Sequence, residues 1–230
     1  MPVSIKGTGG GSVTLSAAAA ATDTTLTLPN TTGTILQSGT AVTVAQGGTG
    51  VTSTGAAGNV LFTTDGSTWS ATQKIVQGTA VASTSGTSID FTSIPSWVKR
   101  VTVMFNGVST SGTSIPQIQI GSGSVSTTSY NSTASYGSTA GQFSTLTSGF
   151  PLSVSNVAAA ASVFSGVLVL NLIASNTWVA QGCNAINTNN ISVVIGGVSP
   201  ALGGALDRVR ITTVNGTDTF DAGSINILYE

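Results

Sequence analysis

The apolar residues of this chain come in short runs that alternate with polar residues, and no run has the period of an amphipathic helix. In residues 98–108, VKRVTVMFNGV, the side chains of Val101, Val103 and Phe105 fall on one face, and the residues between them fall on the other. A period of two is typical of a β-strand with one buried face. The longest alanine runs are too short to hold an isolated helix. The pattern therefore predicts an all-β fold.

Further strands are predicted wherever this alternation returns between turn residues. They fall at 79–82, 88–92, 117–121, 163–173, 177–181, 191–195, 206–214 and 225–229. Strands at regular spacing with no helical segment between them favour an antiparallel β-sandwich or jelly-roll-like domain.

The composition changes near Lys74, and this divides the chain into two predicted parts. Residues 1–75 are rich in Gly, Thr and Ala, and their apolar runs are very short, as at 13–15, 26–28, 34–36 and 41–44. Strands so short bury little apolar area within one chain. We therefore expect residues 1–75 to form an intertwined stalk that completes its core with neighbouring copies, and residues 76–230 to form the β-sandwich tip.

Two sequence signals predict where the tip turns. Asn215 and Gly216 both tolerate positive φ, and they stand between an apolar strand and Phe220, which predicts a β-hairpin. Residues 94–97, IPSW, predict a turn that closes one strand and opens the next.

The scarcity of charge excludes several classes of function. Charged residues make up 6% of the chain, against about 25% in an ordinary domain, and the net charge is −1. The six basic residues are scattered, so they form no nucleic-acid-binding patch. The chain has no histidine and one cysteine, Cys183, which removes zinc sites, intrachain disulfides and imidazole-based nucleophilic catalysis. No cofactor and no metal are expected.

One stretch is apolar enough to raise the question of a membrane span. Residues 157–174, VAAAASVFSGVLVLNLIA, approach the required length, but polar residues interrupt them and no basic residue flanks them. We expect a buried strand preceded by an alanine-rich loop. The N-terminus lacks the apolar core of a signal peptide, so no targeting segment is expected.

Three weaker motifs have ordinary structural interpretations. The G-x-G clusters lack both a third glycine and a following helix, so turns are favoured over phosphate binding. Asp218 and Asp221 offer oxygen ligands for Ca²⁺, but two acids after a turn are more often turn-stabilising. The seven acidic residues form no carboxylate pair suited to hydrolysis.

Residues 121–150 and 184–190 have the texture of recognition loops. They mix aromatic side chains and asparagines with small polar residues, which give contact area and adaptable hydrogen bonds. Solvated loops with their aromatics tucked onto the sandwich are the alternative. The residues predicted to bind a receptor are Tyr130, Asn131, Tyr136, Trp178, Asn184, Asn187 and Asn189.

Several strings resemble tail fibre proteins of bacteriophages and prophages. Residues 24–36, TTLTLPNTTGTIL, and 42–69, which include AQGGTG, resemble the repeated stalk segment of those fibres. Residues 89–114, 175–180 and 206–230 resemble the terminal domain of the same class. The middle of the chain matches no fixed motif, as suits a variable receptor-facing region.

The resemblance implies a homotrimeric, non-enzymatic adhesin of the virion. Its N-terminal segment would attach to other tail or adaptor proteins, and its tip would face a host surface glycan or outer-membrane protein. A capsid decoration protein or head fibre without a receptor role is the structural alternative. A depolymerising spike is the enzymatic one, disfavoured by the missing acid pairs.

Overall fold

Strands supply nearly all the regular structure in the part of the chain that can be described. The computed structural model describes residues 3–6, 9, 12–15, 59–63, 69–72, 75–137, 141–187 and 190–230. In chain order the strands are β1 (Val3–Lys6), β2 (Ser12–Leu15), β3 (Val60–Phe62), β4 (Ser70–Thr72), β5 (Val76–Gln77), β6 (Val81–Ala82), β7 (Ser88–Thr92), β8 (Arg100–Thr110), β9 (Pro116–Ser122), β10 (Ser124–Val125), β11 (Asn131–Tyr136), β12 (Gln142–Leu146), β13 (Phe150–Pro151), β14 (Phe164–Ala174), β15 (Thr177–Ile186), β16 (Ile191–Val198), β17 (Arg208–Thr213) and β18 (Phe220–Tyr229).

Two antiparallel sheets carry the strands from β5 onward. The small sheet has the order β10-β9-β17-β7, with β13 also paired to β9. The large sheet has the order β12-β11-β16-β15-β14-β8-β18-β5, with β6 also paired to β18. The all-β class predicted from the alternation is confirmed.

The inward faces of the two sheets form one hydrophobic core. The small sheet contributes residues such as Ile118 and Ile211, and the large sheet contributes Val103, Leu168 and Trp178, all buried. Each fully buried large apolar side chain stabilises the fold by about 1.5–3 kcal/mol relative to exposure. The shared core makes the two sheets a β-sandwich.

The longest apolar stretch of the sequence is a strand in this sandwich. Residues 157–163 form irregular structure, and β14 follows in the middle of the large sheet, between β15 and β8. The predicted strand with a preceding loop is confirmed, but only the inward face of β14 is buried, since Val167 and Ile173 are exposed. Among the described residues, no helix has the length and apolarity needed to cross a membrane.

The Asn215-Gly216 prediction is wrong in one respect. A turn is present, but β17 belongs to the small sheet and β18 to the large one, so the turn links the sheets and forms no hairpin. Gly216 has φ 69°, whereas Asn215 is not in the positive-φ region. The Asn215 side-chain Oδ1 instead accepts hydrogen bonds from the backbone N–H groups of Thr217 (3.0 Å) and Asp218 (3.2 Å). The dipeptide Asn-Gly is therefore compatible both with a tight hairpin and with a wider turn that the asparagine side chain caps.

The 94–97 turn also crosses between the sheets, from β7 to β8. The backbone N–H of Val98 donates to the carbonyl of Pro95 at 3.1 Å, which closes the turn. The predicted turn is confirmed.

In residues 1–75 the structure describes two short antiparallel strand pairs, β1–β2 and β3–β4. The predicted run at 13–15 lies in β2. The runs at 26–28, 34–36 and 41–44 lie outside the described residues. The stalk, and the division at residue 75, stay predictions.

Candidate functional site

Strands β11 and β12 pair antiparallel at the edge of the large sheet, and we call these two strands (residues 131–136 and 142–146) the edge hairpin. Polar and small residues alternate along β11, so Ser132 and Ala134 face inward while Asn131, Thr133 and Ser135 face solvent. The predicted recognition loop at 121–150 is therefore largely sheet rather than loop. The sequence did not predict these strands because few of their residues are β-branched aliphatics.

The inner side of the edge hairpin is tied to the segment at 147–156. The Ser132 hydroxyl lies 2.7 Å from the carbonyl oxygen of Gly149. The backbone N–H of Ser155 donates to the Ser144 hydroxyl at 3.0 Å, and the Asn156 amide Nδ2 donates to the Tyr136 hydroxyl at 3.0 Å. These bonds tie the inner side of the edge hairpin to residues 149–156.

The outer side of the edge hairpin presents one large apolar side chain to solvent. Phe143 is 70% exposed and lies directly across from Ser135. Thr133 and Thr145 form the next pair on the same face. An exposed aromatic ring among short hydroxyl side chains can stack on an apolar surface and hydrogen-bond around it.

Tyr130, the first predicted binding residue, is a structural residue of the core. Its hydroxyl accepts a hydrogen bond from the backbone N–H of Ile120 at 2.9 Å, and its ring packs edge-on against Phe150 with centroids 5.1 Å apart. Burial raises the pKa of Tyr130 to about 12, although the Ile120 N–H opposes that shift. A ligand at the surface cannot contact this side chain.

Trp178 and Asn184 are also buried, on the inner face of β15. The backbone N–H of Trp178 donates to the Ser199 hydroxyl at 3.0 Å, and Asn184 Nδ2 donates to the carbonyl of Leu152 at 3.0 Å. Burial removes both from a surface site. The polar residues at 184–190 were predicted to form a loop, but residues 184–186 continue β15.

The remaining predicted residues divide between opposite ends of the large sheet. Ser135 pairs with Val194 and Asn131 with Val198, so the C-terminal end of β11 lies beside the start of β16. Tyr136 is therefore at the same end as the exposed Asn187, which precedes β16. Exposed Asn131 is at the other end, and Asn189 lies outside the described residues. Tyr136 and Asn187 therefore share one end of the sheet, and Asn131 lies at the end where β15 begins.

Strands β9 to β16 contain no charged residue. The sequence contains no charged residue between Arg100 and Asp207, a stretch that includes β9 to β16. The Arg208 guanidinium lowers the pKa of Asp207 through a hydrogen bond of 2.7 Å, and Arg210 pairs with Asp90 at 2.7 Å. Both pairs belong to the small sheet or its border, so the edge hairpin is polar and uncharged.

The acids near Asn215 stabilise turns. The Asp218 carboxylate accepts bonds from Asn215 Nδ2 at 2.7 Å and from the backbone N–H of Ser114 at 3.0 Å. Asp221 accepts a hydrogen bond from the Ser109 hydroxyl. In the part of the chain that the structure describes, no three His, Cys, Asp or Glu side chains are grouped so that they could hold a metal ion.

Sequence reasoning missed how the large sheet's outward residues line up. Met104, Val167, Cys183, Val194, Ser135 and Phe143 are direct neighbours across six adjacent strands, and we call them the outer row. The sequence showed only that no charged residue lies between Arg100 and Asp207. Which of these uncharged residues become neighbours depends on strand order, which the sequence alone did not supply.

Comparison of the chain with protein-family models, curated proteins and solved structures finds no match.

Proposed function

We propose that this chain is a non-enzymatic fibre adhesin of a bacteriophage virion, and that the edge hairpin binds the host surface. The tail-fibre-like strings at 24–36, 42–69 and 206–230 support the fibre assignment. The observation that carries the binding role is the exposed Phe143 on the uncharged edge hairpin.

The chemistry of the edge hairpin fits a neutral ligand. Phe143 offers an aromatic face, and the hydroxyls of Thr133, Ser135 and Thr145 surround it on the same side. Hydrogen bonds between neutral groups are little screened by salt, unlike ion pairs between exposed charges. A host glycan or an uncharged patch of an outer-membrane protein suits this surface.

The proposed adhesin acts as a homotrimer attached to the tail through residues 1–75. Shallow contacts of this kind are weak singly, and several linked copies raise the effective affinity. Their number matters because one hairpin offers only one large apolar side chain.

Competition for host cells tests the receptor role. We expect the full chain, added at saturation, to reduce virion adsorption, and Phe143→Ser to weaken that competition at least tenfold. Val214→Ser is the matched control, because Val214 is 44% exposed and lies on the turn between β17 and β18, away from the edge hairpin. Both variants must keep the solution mass of the wild type.

Adsorption that stays unchanged at saturating wild-type protein would contradict the receptor role. Equal competition by Phe143→Ser and wild type would move the binding surface away from the edge hairpin.

A further inference from the structure

Strand β12, which carries Phe143, is weakly supported by its own sheet. It lies at the end of the strand order of the large sheet, where β11 pairs with it on one side. Its inward residues Gln142, Ser144 and Leu146 are only half-buried, so apolar burial stabilises the strand little. Segments with few buried apolar contacts are the ones that open most easily in a fold. The position of Phe143 therefore depends on the other groups that tie β12 down.

The segment at 147–156, which we call the strap, follows β12 and connects it to the interior of the sandwich. At residues 150–151 the strap pairs with β9 of the small sheet. The strap then returns to β12, where the backbone N–H of Ser155 donates to the Ser144 hydroxyl at 3.0 Å. A strap that is fixed at its middle therefore also restrains β12.

Asn184 of β15 ties the middle of the strap to the large sheet. It is fully buried on the inward face of β15, where Trp178, Ala180 and Ile186 are apolar. Its amide Nδ2 donates to the carbonyl of Leu152 at 3.0 Å, whereas Oδ1 has no hydrogen-bond partner among the described residues. Burying an amide costs free energy that its hydrogen bonds must offset. An apolar residue would avoid this cost but would leave the Leu152 carbonyl unpaired.

The neighbouring strand leaves room for this amide. Gly166 of β14 lies directly across from Asn184. A Cβ at position 166 would lie 2.5 Å from Asn184 Oδ1 and closer still to the carbonyl oxygen of Cys183. Any larger residue there would displace both the β15 backbone and the amide. The glycine thus allows β15 to hold the asparagine that reaches the strap.

We infer that Asn184 positions the edge hairpin for binding. Its hydrogen bond to Leu152 fixes the strap, the strap restrains β12, and β12 carries Phe143. This inference rests on the binding role proposed for the edge hairpin and adds a positioning residue to it. Asn184 acts through the strap and not by contact with a ligand, because it is fully buried.

Hydrogen exchange of the full chain tests the positioning step. Asn184→Leu removes the amide donor and keeps a side chain of similar size. We expect the backbone N–H of Ser155 and those of β12 to exchange at least tenfold faster than in wild type, while exchange in β8 and β18 stays unchanged. Ile227→Val is the control, since it trims a buried side chain on β18, away from β12 in the strand order, and should leave exchange in β12 unchanged.

Competition with virion adsorption tests whether positioning matters for binding. We expect Asn184→Leu to weaken the competition at least fivefold, although the residue is buried, and Ile227→Val to compete like wild type. The double variant of Asn184→Leu and Phe143→Ser should compete no worse than Phe143→Ser alone, because both changes act on the same ring. A general loss of stability would add to the effect of Phe143→Ser instead.

A second variant cuts the same connection without changing the core. Ser144→Ala combined with Asn156→Ala removes the bonds by which the strap reaches β12 and Tyr136. Neither residue is buried, so the sandwich should fold normally. We expect the same rise in exchange in β12 and the same weaker competition as in Asn184→Leu.

Three results would overturn the inference: exchange in β12 that neither variant changes, exchange that rises equally in every strand of Asn184→Leu, or competition by Asn184→Leu equal to that of wild type. Failure of the wild-type chain to compete would remove the proposed receptor role. The exchange measurements would still decide whether Asn184 positions the edge hairpin.

Discussion

The two sheets of the sandwich share one core, but their outward sides differ in the residues that they carry. The outward side of the small sheet carries the ion pair of Asp90 and Arg210. Next to this pair, Thr212 and Gln119 are buried, and they donate hydrogen bonds to the carbonyls of Thr87 at 2.8 Å and Ser148 at 2.9 Å. The outward side of the large sheet exposes Val167 and Val194 in its middle, and its ion pair of Arg100 with Glu230 lies at the end of β8. The chain itself therefore covers part of the outward side of the small sheet, whereas the middle of the large sheet's outward side is left exposed. Alternation along a strand therefore identifies the inward face without revealing what the outward face meets.

The largest expected effect comes from comparing the two faces of one strand of the large sheet. Leu168→Ala removes a fully buried side chain, and it should lower the free energy of unfolding by about 2–5 kcal/mol. Val167→Ala changes its outward neighbour, which is 40% exposed, and should cost less than about 1 kcal/mol. Urea unfolding of both variants measures the difference. Similar costs would mean that the chain itself already covers the outer face.

A smaller effect tests how the two sheets are joined. Tyr130 directly precedes β11 of the large sheet, and its hydroxyl accepts the N–H of Ile120 in β9 of the small sheet. Tyr130→Phe leaves that buried donor without its partner, which should cost about 1–3 kcal/mol. Tyr136→Phe is the control, because it removes only an exposed bond to Asn156. Equal losses in the two variants would contradict the linking role of Tyr130.

The same tyrosine gives the unfolding free energy a dependence on alkaline pH. Its pKa is about 12 in the fold and about 10 when unfolded, so the folded state holds the proton more tightly. This contribution is complete below pH 10 and is lost as the pH rises towards 12, with a maximum of about 2.7 kcal/mol. Urea unfolding at pH 8 and pH 11 should show the decline in wild type and a weaker decline in Tyr130→Phe. Parallel pH profiles in wild type and Tyr130→Phe would contradict this role of Tyr130.

The smallest expected effect concerns the charged outer face of the small sheet. The Arg210 guanidinium contacts both oxygens of Asp90, at 2.7 and 2.9 Å, but both side chains remain more than a third exposed. Solvent screening limits such a pair to about 0–1 kcal/mol. Asp90→Asn should therefore lower the unfolding free energy by less than about 1 kcal/mol, and high salt should abolish the difference. A loss of several kcal/mol would contradict the exposed position of this pair.

The strands that sequence reasoning found are those with β-branched and aliphatic alternation. The predicted 88–92 strand matches β7, and β8, β14 and β17 lie within two residues of their predicted starts. Strands β11 and β12 were missed because their serines, threonines and tyrosine lack a strong hydrophobic period. They form because β16 supplies a hydrogen-bonding edge, which is a non-local cause.

The candidate site was predicted less well for a related reason. Aromatic and asparagine residues among small polar ones were predicted to bind a receptor, with aromatics tucked onto the sandwich as the alternative. The burial of Tyr130 and Trp178 fits that alternative, and Asn184 is buried as well. Residue type does not distinguish a buried, hydrogen-bonded tyrosine from an exposed one, because both need polar neighbours. Phe143, which the structure exposes, had the same sequence context as Tyr130.

By itself, the sequence determined the all-β class, the inward residues of the long strands and the absence of charge between Arg100 and Asp207. These properties follow from local alternation and composition. Only the tertiary structure decided that the Asn215 turn joins two sheets, that Tyr130 is buried, and that Met104, Val167, Cys183 and Val194 form one row. Strand order brings distant residues together, and no local pattern records it.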